Sequence, residues 1–321
     1  MYYMTFDITV GSYSIQTLDK VTIKRSVETL GNTAVIVLPR TVYNRTMGIE
    51  SKFNLDDPVT IKLGYDGKLE TEFEGFLSFV SIEESSITLE CEDYIFFYRM
   101  GLAPKELKDK SVKEILKHVN DEISALSGKS LSLSCDLSNK YTYIIEEGET
   151  GLEVLNEIRR LTKTEIYMEG NTLYCHSQFS RESKKVAYDF SLNIESADLK
   201  YKTADSTKFL VIGTGTGADG MPIVVKKGIK GGGVKRFSST EIVDENNLQK
   251  EVEEAYNKEV YTGYEGSFNA WLVPYCDAGY AVTIEDSDKE YPKGSYYVLS
   301  VETTFSKAGG VRRISLGKKL S

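Results

Sequence analysis

A pattern of five short β-strands occurs twice in this 321-residue chain, with a helical segment between the two copies. The first copy covers residues 21–25, 32–37, 59–61, 75–80 and 87–89. The second covers residues 197–201, 206–211, 282–284, 294–299 and 314–316. In each copy the first two strands are expected to pair with each other, and the order of strand types is the same. A repeat of this kind predicts a duplicated β unit and suits a scaffold better than an active site.

Three regions differ in pattern and predict the domain organisation. Residues 1–103 alternate apolar and polar side chains between turn signals such as Asp66-Gly67, which is typical of a small antiparallel barrel. Residues 104–191 contain two helix-capping boxes, one beginning at Ser111 and one at Thr150, and predict an α/β insert. Residues 192–321 return to the β pattern and add one helix at about 246–259. The predicted fold class is α+β and mainly β, with two related small antiparallel β-barrel domains around an intervening α/β domain.

Charge and composition exclude several classes of protein. The net charge of −9 and the pI near 5.1 disfavour sequence-specific binding of nucleic acid, because phosphates attract basic surfaces. No apolar run reaches the length of a membrane span, so membrane insertion is not expected. The four cysteines, listed here, lie far apart in apolar runs and are predicted to be reduced and buried: Cys91, Cys135, Cys175 and Cys276.

No pattern predicts catalysis, a cofactor or a metal. Gly215, Gly217 and Gly220 match the spacing of a dinucleotide fingerprint, but a Pro and a β-branched run follow them where the fingerprint needs a helix. We therefore interpret them as the tip of a hairpin. Acidic pairs such as Glu92-Asp93 lie in polar, turn-like sequence, where solvated charge is the default interpretation. The chain is predicted not to be an enzyme.

One basic cluster stands out in this acidic chain. Its members lie in a glycine-rich segment that is predicted to be a loop: Lys226, Lys227, Lys230, Lys235 and Arg236. One interpretation is a solvated loop. The other is an assembly contact that orders against an acidic partner or another subunit.

Taken together, the two halves resemble the baseplate hub family of phage tails and related contractile injection machines, which includes the late control protein D group. The residues that carry the resemblance are 21–25, 32–39, 57–61, 74–81, 199–201, 211–213, 266–274, 279–284, 294–298, 300–301 and 309–317. The resemblance implies two related barrels around an α/β domain and a homotrimeric ring that joins a sixfold tail tube to a threefold spike. It also implies tube, spike or needle and other baseplate proteins as partners. A protein of this family is assembled in the bacterial cytoplasm and ends in a virion tail or injection particle.

Two alternatives stay open. One is a tail-tip or distal tail protein of a non-contractile phage. The other, from a different class, is a glycan-binding or cell-wall-hydrolysing accessory protein, for which the segment from Tyr141 to Gly151 bears a faint likeness to a LysM module.

Overall fold

The structure is a computed structural model that describes residues 3–42, 45–46, 48–177, 184–217, 219–242, 245–285 and 294–320. The first part of the chain forms the N-terminal β unit. Its strands are β1 (Met4–Val10), β2 (Tyr13–Ser14), β3 (Lys20–Ser26), β4 (Thr33–Pro39), β5 (Thr41–Val42), β6 (Arg45–Thr46), β7 (Pro58–Tyr65), β8 (Lys68–Ile82) and β9 (Ser86–Glu92). The Asp66-Gly67 hairpin between β7 and β8 is confirmed. Short 3-10 helices lie at Glu50–Lys52, between β6 and β7, and at Tyr94–Arg99, after β9.

The next part forms the helical unit. Its elements are β10 (Lys105–Ser111), α1 (Val112–Ser127), β11 (Ser132–Cys135), β12 (Lys140–Ile145), α2 (Gly151–Thr162), β13 (Glu165–Glu169) and β14 (Thr172–His176). Both predicted capping boxes are present, because Ser111 and Thr150 each accept the backbone N–H of a glutamate three residues later, which reaches back to the cap. β10 pairs with β12, and β11, β14 and β13 form a three-stranded sheet.

The last part contains the C-terminal β unit and an inserted sheet. Its elements are β15 (Lys185–Asp189), β16 (Ile194–Lys202), β17 (Phe209–Thr216), β18 (Pro222–Gly228), β19 (Gly233–Ile242), α3 (Glu245–Glu259), β20 (Gly263–Ala270), β21 (Ala281–Glu285), β22 (Gly294–Ser306) and β23 (Gly309–Lys319). The mainly β, α+β fold class is confirmed. The domain limits at residues 103 and 191 stay a prediction.

The two β units repeat the same strand order. Neighbouring strands run β3-β4-β9-β8-β7 in the N-terminal unit and β16-β20-β23-β22-β21 in the C-terminal unit. The pairing shifts at matching places, between Leu77 and Phe79 in β8 and between Val298 and Ser300 in β22. The duplication that the sequence predicts is therefore present in the fold.

The turns that precede β7 and β21 also correspond. Asp56 and Gly279 have positive φ values of 68° and 82°. Their N–H groups donate to the carbonyls of Leu77 and Val298, at 3.0 and 2.8 Å. Two different residue types thus make the same turn at the same place in each copy.

One predicted pairing is wrong. Residues 197–201 in β16 pair with β20, whereas residues 206–211 were expected as their partner. The reason is an insertion between β16 and β20 in which β17 pairs with β18 and β19 and packs under α3. Gly213 allows this close packing, because a Cβ there would lie 2.5 Å from a methyl carbon of Val252.

Three main clusters of buried apolar side chains lie in the N-terminal β unit, the helical unit and the C-terminal β unit. Leu272, which follows β20, and Phe305, which lies in β22, belong to the cluster of the N-terminal unit. The two β units therefore share part of their interior.

Candidate assembly interface

One strand joins the two β units. Along one edge, β22 pairs with β23. Along its other edge it pairs first with β21, at residues 294–297, and then with β3, from Ser300 opposite Ser26 to Ser306 opposite Lys20. We call this contact between β22 and β3 the seam. On the seam's surface Lys24 and Glu302 lie 3.8 Å apart, a solvated pair that adds little stability.

The strands that correspond to the two sides of the seam are open elsewhere in the molecule. By strand order, β8 corresponds to β22 and β16 corresponds to β3. In the described ranges, no strand pairs with the β7-side edge of β8 from Phe79 to Ile82, nor with the outer edge of β16. Open edges present unpaired N–H and C=O groups to which another strand can bond.

Apolar side chains lie on both open edges. Phe79 and Ile82 of β8 are 54% and 50% exposed, and Tyr201 of β16 is 41% exposed. Large apolar side chains at an open strand edge favour association, and native proteins commonly protect such edges with charge. The edge strand β16 carries both kinds of side chain, since Asp198, Lys200 and Lys202 lie in it as well.

The register of the seam can be transferred to these edges. The matching pairing shifts align Val80 with Val301, and the order of strands aligns Tyr201 with Arg25. A strand pair of the same register would set Val80 opposite Tyr201, Ile82 opposite Leu199 and Ser81 opposite Lys200. Apolar side chains then meet apolar ones on the inner face, as cross-strand stabilisation requires.

A buried ion cluster holds the seam from inside. Glu72 of β8 accepts hydrogen bonds from Arg25 of β3, at 3.0 Å, and from Arg312 of β23. All three side chains are at most 5% exposed. Asp277 lies 3.2 Å from Nε of Arg25, and both guanidiniums lie over the ring of Tyr275, about 5 Å from its centroid.

The charges of this cluster compensate for its burial. Burial lowers the pKa of the Arg25 guanidinium, but Asp277, Tyr275 and Glu72 outweigh burial and hold the pKa above its ordinary value. The arginine therefore stays charged and keeps its partners. Sequence reasoning missed this cluster, although Arg25 has the inward phase of Val21 and Ile23, and a buried charge in a strand needs a partner.

The predicted basic loop is mostly strand. Lys226 and Lys227 lie in β18, Lys235 and Arg236 lie in β19, and only Lys230 lies in the connecting turn. This local structure was wrongly predicted because three glycines favour a loop, whereas the flanking β-branched residues pair with both edges of β17.

The sheet separates the basic residues onto two faces. Lys227 pairs with Glu253 of α3, and Lys235 lies 2.9 Å from Glu259 of α3. Lys226 and Arg236 are the next residues along their strands and so point to the opposite face, where both flank Ile212. Val224 and Val234 on that face are 53% and 45% exposed. We call it the open face.

Other sequence-level candidates take structural roles. Gly217 and Gly220 lie in the turn between β17 and β18, which confirms the hairpin interpretation. Asp93 is not solvated: it is 5% exposed and caps the 3-10 helix at Tyr94, and burial raises its pKa to about 7. All four cysteines are free and buried, as predicted.

One chain of contacts between polar residues was not predicted. Ser134 Oγ lies 3.1 Å from Nε2 of His176, and Nδ1 of His176 lies 3.2 Å from Asp136. The residue types and the order of contacts are those of a Ser-His-Asp triad.

In the described part of the chain, no group of three or more His, Cys, Asp or Glu side chains is placed to hold a metal ion. No described helix is both long and apolar enough to span a membrane.

Comparison with solved structures places the fold. A tail protein from Neisseria meningitidis MC58 is 15% identical, with a TM-score of 0.67 over 99% of this chain and 97% of that one. The 43 kDa tail protein of prophage MuSo2 from Shewanella oneidensis is 14% identical, with a TM-score of 0.64 over 98% of each chain. No protein-family model and no curated protein matches the sequence.

A third similar structure comes from a secretion machine. It is an Escherichia coli component of the type VI secretion system, described as similar to the T4 tail proteins gp27 and gp5. It is 8% identical, with a TM-score of 0.60 over 97% of this chain and 76% of that one. The chain therefore has the fold of phage tail proteins and of a related secretion component, and the expected resemblance is confirmed at the level of the fold.

Proposed function

We propose that this protein is a non-enzymatic baseplate hub of a phage or prophage tail, or of a phage-like contractile injection particle. Three copies form a ring that joins a sixfold tail tube on one side to a threefold spike on the other. The observation that carries the proposal is the seam, because its two sides recur as open edges on β8 and β16.

Repetition of one contact explains the ring. If β16 of one copy pairs with β8 of the next as β3 pairs with β22 within a copy, every β unit has the same two neighbours. A head-to-tail contact of this kind either closes into a ring or extends as a filament. Closure at three copies gives six near-equivalent β units, which match a sixfold tube, while the helical units keep threefold symmetry.

The fold of tail proteins supports this role, and the partners follow from it. They are the tube protein, the spike or needle protein and other baseplate proteins. Assembly in the bacterial cytoplasm agrees with four free, buried thiols, since that compartment keeps thiols reduced. The final location is the virion tail or injection particle.

Site-directed crosslinking tests the ring. Ser81→Cys combined with Lys200→Cys, treated with a short bismaleimide, should give covalent dimers and trimers on a denaturing gel. The control pair, Ser81→Cys with Asp198→Cys, has the same facing but is two residues out of register and should crosslink far less. A protein that stays monomeric at all concentrations, with and without tube or spike protein, would contradict the hub. A trimer without the register-specific crosslink would contradict only the edge pairing.

The chain of Ser134, His176 and Asp136 favours a second candidate, a hydrolase acting on cell-wall material. Against it, Ser134 lies inside a parallel strand pair, whereas a catalytic serine usually projects from a sharp turn. We expect no labelling of Ser134 by a fluorophosphonate probe. Labelling that is lost in Ser134→Ala would favour the hydrolase over a purely structural role.

A further inference from the structure

Two cysteines face each other across parallel strands of the helical unit. Cys135 of β11 is the register partner of Cys175 of β14. Neighbouring strands lie about 4.8 Å apart, which falls within the Cα separations of disulfides, roughly 4.4–6.8 Å. Both side chains belong to the same buried cluster, and they are 8% and 0% exposed. The spacing of paired strands is therefore within the range that a disulfide allows.

The surroundings lower the pKa of one of the two thiols. A hydrogen bond with Cys175 lowers the pKa of Cys135 to about 7, against the opposing effect of burial. A backbone hydrogen bond with Leu137 and the nearby His176 add to the lowering, whereas the charge of Asp136 opposes it. The ring of His176 contacts Asp136 at 3.2 Å and Ser134 at 3.1 Å. The same thiol contact raises the pKa of Cys175, with burial adding to it. A thiolate beside a neutral thiol is the arrangement of an attacking and a resolving cysteine.

The other two cysteines provide the contrast. Burial raises the pKa of Cys91 and of Cys276 to about 12 each. Cys91 lies in β9 and Cys276 lies beyond β20, in different β units. Buried thiols of this kind are inert.

We propose that Cys135 and Cys175 are a site of reversible disulfide formation, closed by a small-molecule disulfide such as oxidised glutathione. The thiolate of Cys135 attacks one sulfur of the oxidant, forms a mixed disulfide and expels one glutathione thiolate. The sulfur of Cys175 then attacks Sγ of Cys135 and expels the second glutathione as a thiolate, which takes up the proton that the Cys175 thiol loses. The two cysteines are oxidised by two electrons, and one oxidised glutathione is reduced to two thiols.

The bond would fasten the helical unit internally. It would join the end of β11 to β14 and close a loop that contains β12, α2 and β13. Closing a loop of about 40 residues restricts the unfolded chain and so stabilises the folded one. A protein made with reduced thiols would gain this stability after it meets an oxidising medium. The inference does not depend on the hub, because both cysteines belong to one copy.

Thiol mapping tests the proposal on the full chain. The reduced, folded protein is incubated with oxidised glutathione, alkylated, denatured and analysed by peptide mass spectrometry. We expect two thiols to disappear, a linked peptide pair that contains Cys135 and Cys175, and a rise of several degrees in the melting temperature. The variants Cys91→Ser and Cys276→Ser should form the same link, and Cys175→Ser should retain one glutathione on Cys135.

Three results would overturn the proposal. They are four alkylated thiols after oxidation, a stable glutathione adduct on Cys135 of the unmutated protein, or a link that involves Cys91 or Cys276. If Cys175→Ser does not fold, the linked peptide in the unmutated protein decides the matter alone.

Discussion

At the scale of single residues, stability at the seam depends on one carboxylate. Glu72 lies between the guanidiniums of Arg25 and Arg312, which come from strands on either side of the junction of the two β units. Buried charges of this kind are costly to desolvate and are tolerated only when every member has its partner. Removing the negative charge leaves two cations buried together, with Asp277 beside only one of them.

We therefore expect Glu72→Gln to lower the free energy of unfolding by about 3–5 kcal/mol. Denaturant-induced unfolding measures this. The control is Glu74→Gln, an exposed position two residues further along β8, which should change stability by less than about 0.5 kcal/mol. Equal effects of the two changes would show that the cluster adds nothing beyond its packing.

At the scale of elements, the capping and turn signals predicted the helix starts and the hairpin that they belong to. The capping boxes at Ser111 and Thr150 fix the starts of α1 and α2, and the Asp66-Gly67 turn fixes the hairpin of β7 and β8. Each of these depends on residues a few positions apart, so the sequence displays it directly.

Long-range pairing was not predictable in the same way. The partner of β16 is β20, and an inserted sheet and helix separate the two strands in sequence. The last strands of the two copies also align differently from the prediction, which matched residue 87 with residue 314. In the structure Leu89 corresponds to Ile314, because they lie opposite Val80 and Val301, so the true alignment is shifted by two residues. Alternation shows which side chains of a strand face inward, but it does not show which strand lies beside it.

The candidate interface was partly predictable for the same reason. The basic residues were recognisable from charge alone, but their division between two faces depends on β17 lying between β18 and β19. The open edges of β8 and β16 became visible only when the seam was known.

The two faces of the inserted sheet give a matched pair of variants. If the open face is an assembly contact, Lys226→Gln with Arg236→Gln should impair docking of the protein in particle assembly. Lys227→Gln with Lys235→Gln removes the same charge but loses contacts with α3 alone, namely two exposed ion pairs and the position of Lys227 over the ring of Tyr256, so assembly should continue. Electron microscopy of assembled particles distinguishes the two. Equal assembly by both variants would assign the cluster to solvent.

At the scale of the whole molecule, each of the two β units has one strand edge that corresponds to a side of the seam but has no partner strand. In a copy with open edges on β8 and β16, each edge can pair with the other edge of a neighbouring copy. Association should therefore be head-to-tail, and blocking one edge should stop it.

We expect Ile82→Lys to prevent association while leaving the fold intact, because a charge at a strand edge disfavours pairing. Ile82 is already half exposed, so the monomer loses little packing. The control is Ile229→Lys, at a position that is 65% exposed in the turn between β18 and β19. Light scattering should give the mass of a monomer for Ile82→Lys, and for Ile229→Lys the same oligomeric state as the unmutated protein. A trimer of Ile82→Lys would exclude this edge as the contact.

The seam also determines how long β3 waits for its partner strand during synthesis. β3 leaves the ribosome early, but its partner in β22 follows about 270 residues later. At roughly 5–20 residues per second, β3 waits for some 15–55 s with one edge uncovered. During that interval the nascent chain exposes a strand edge, with which other nascent chains on the same mRNA could pair. The long separation of β3 and β22 in sequence therefore makes translation a period in which β3 is open to pairing with a wrong strand.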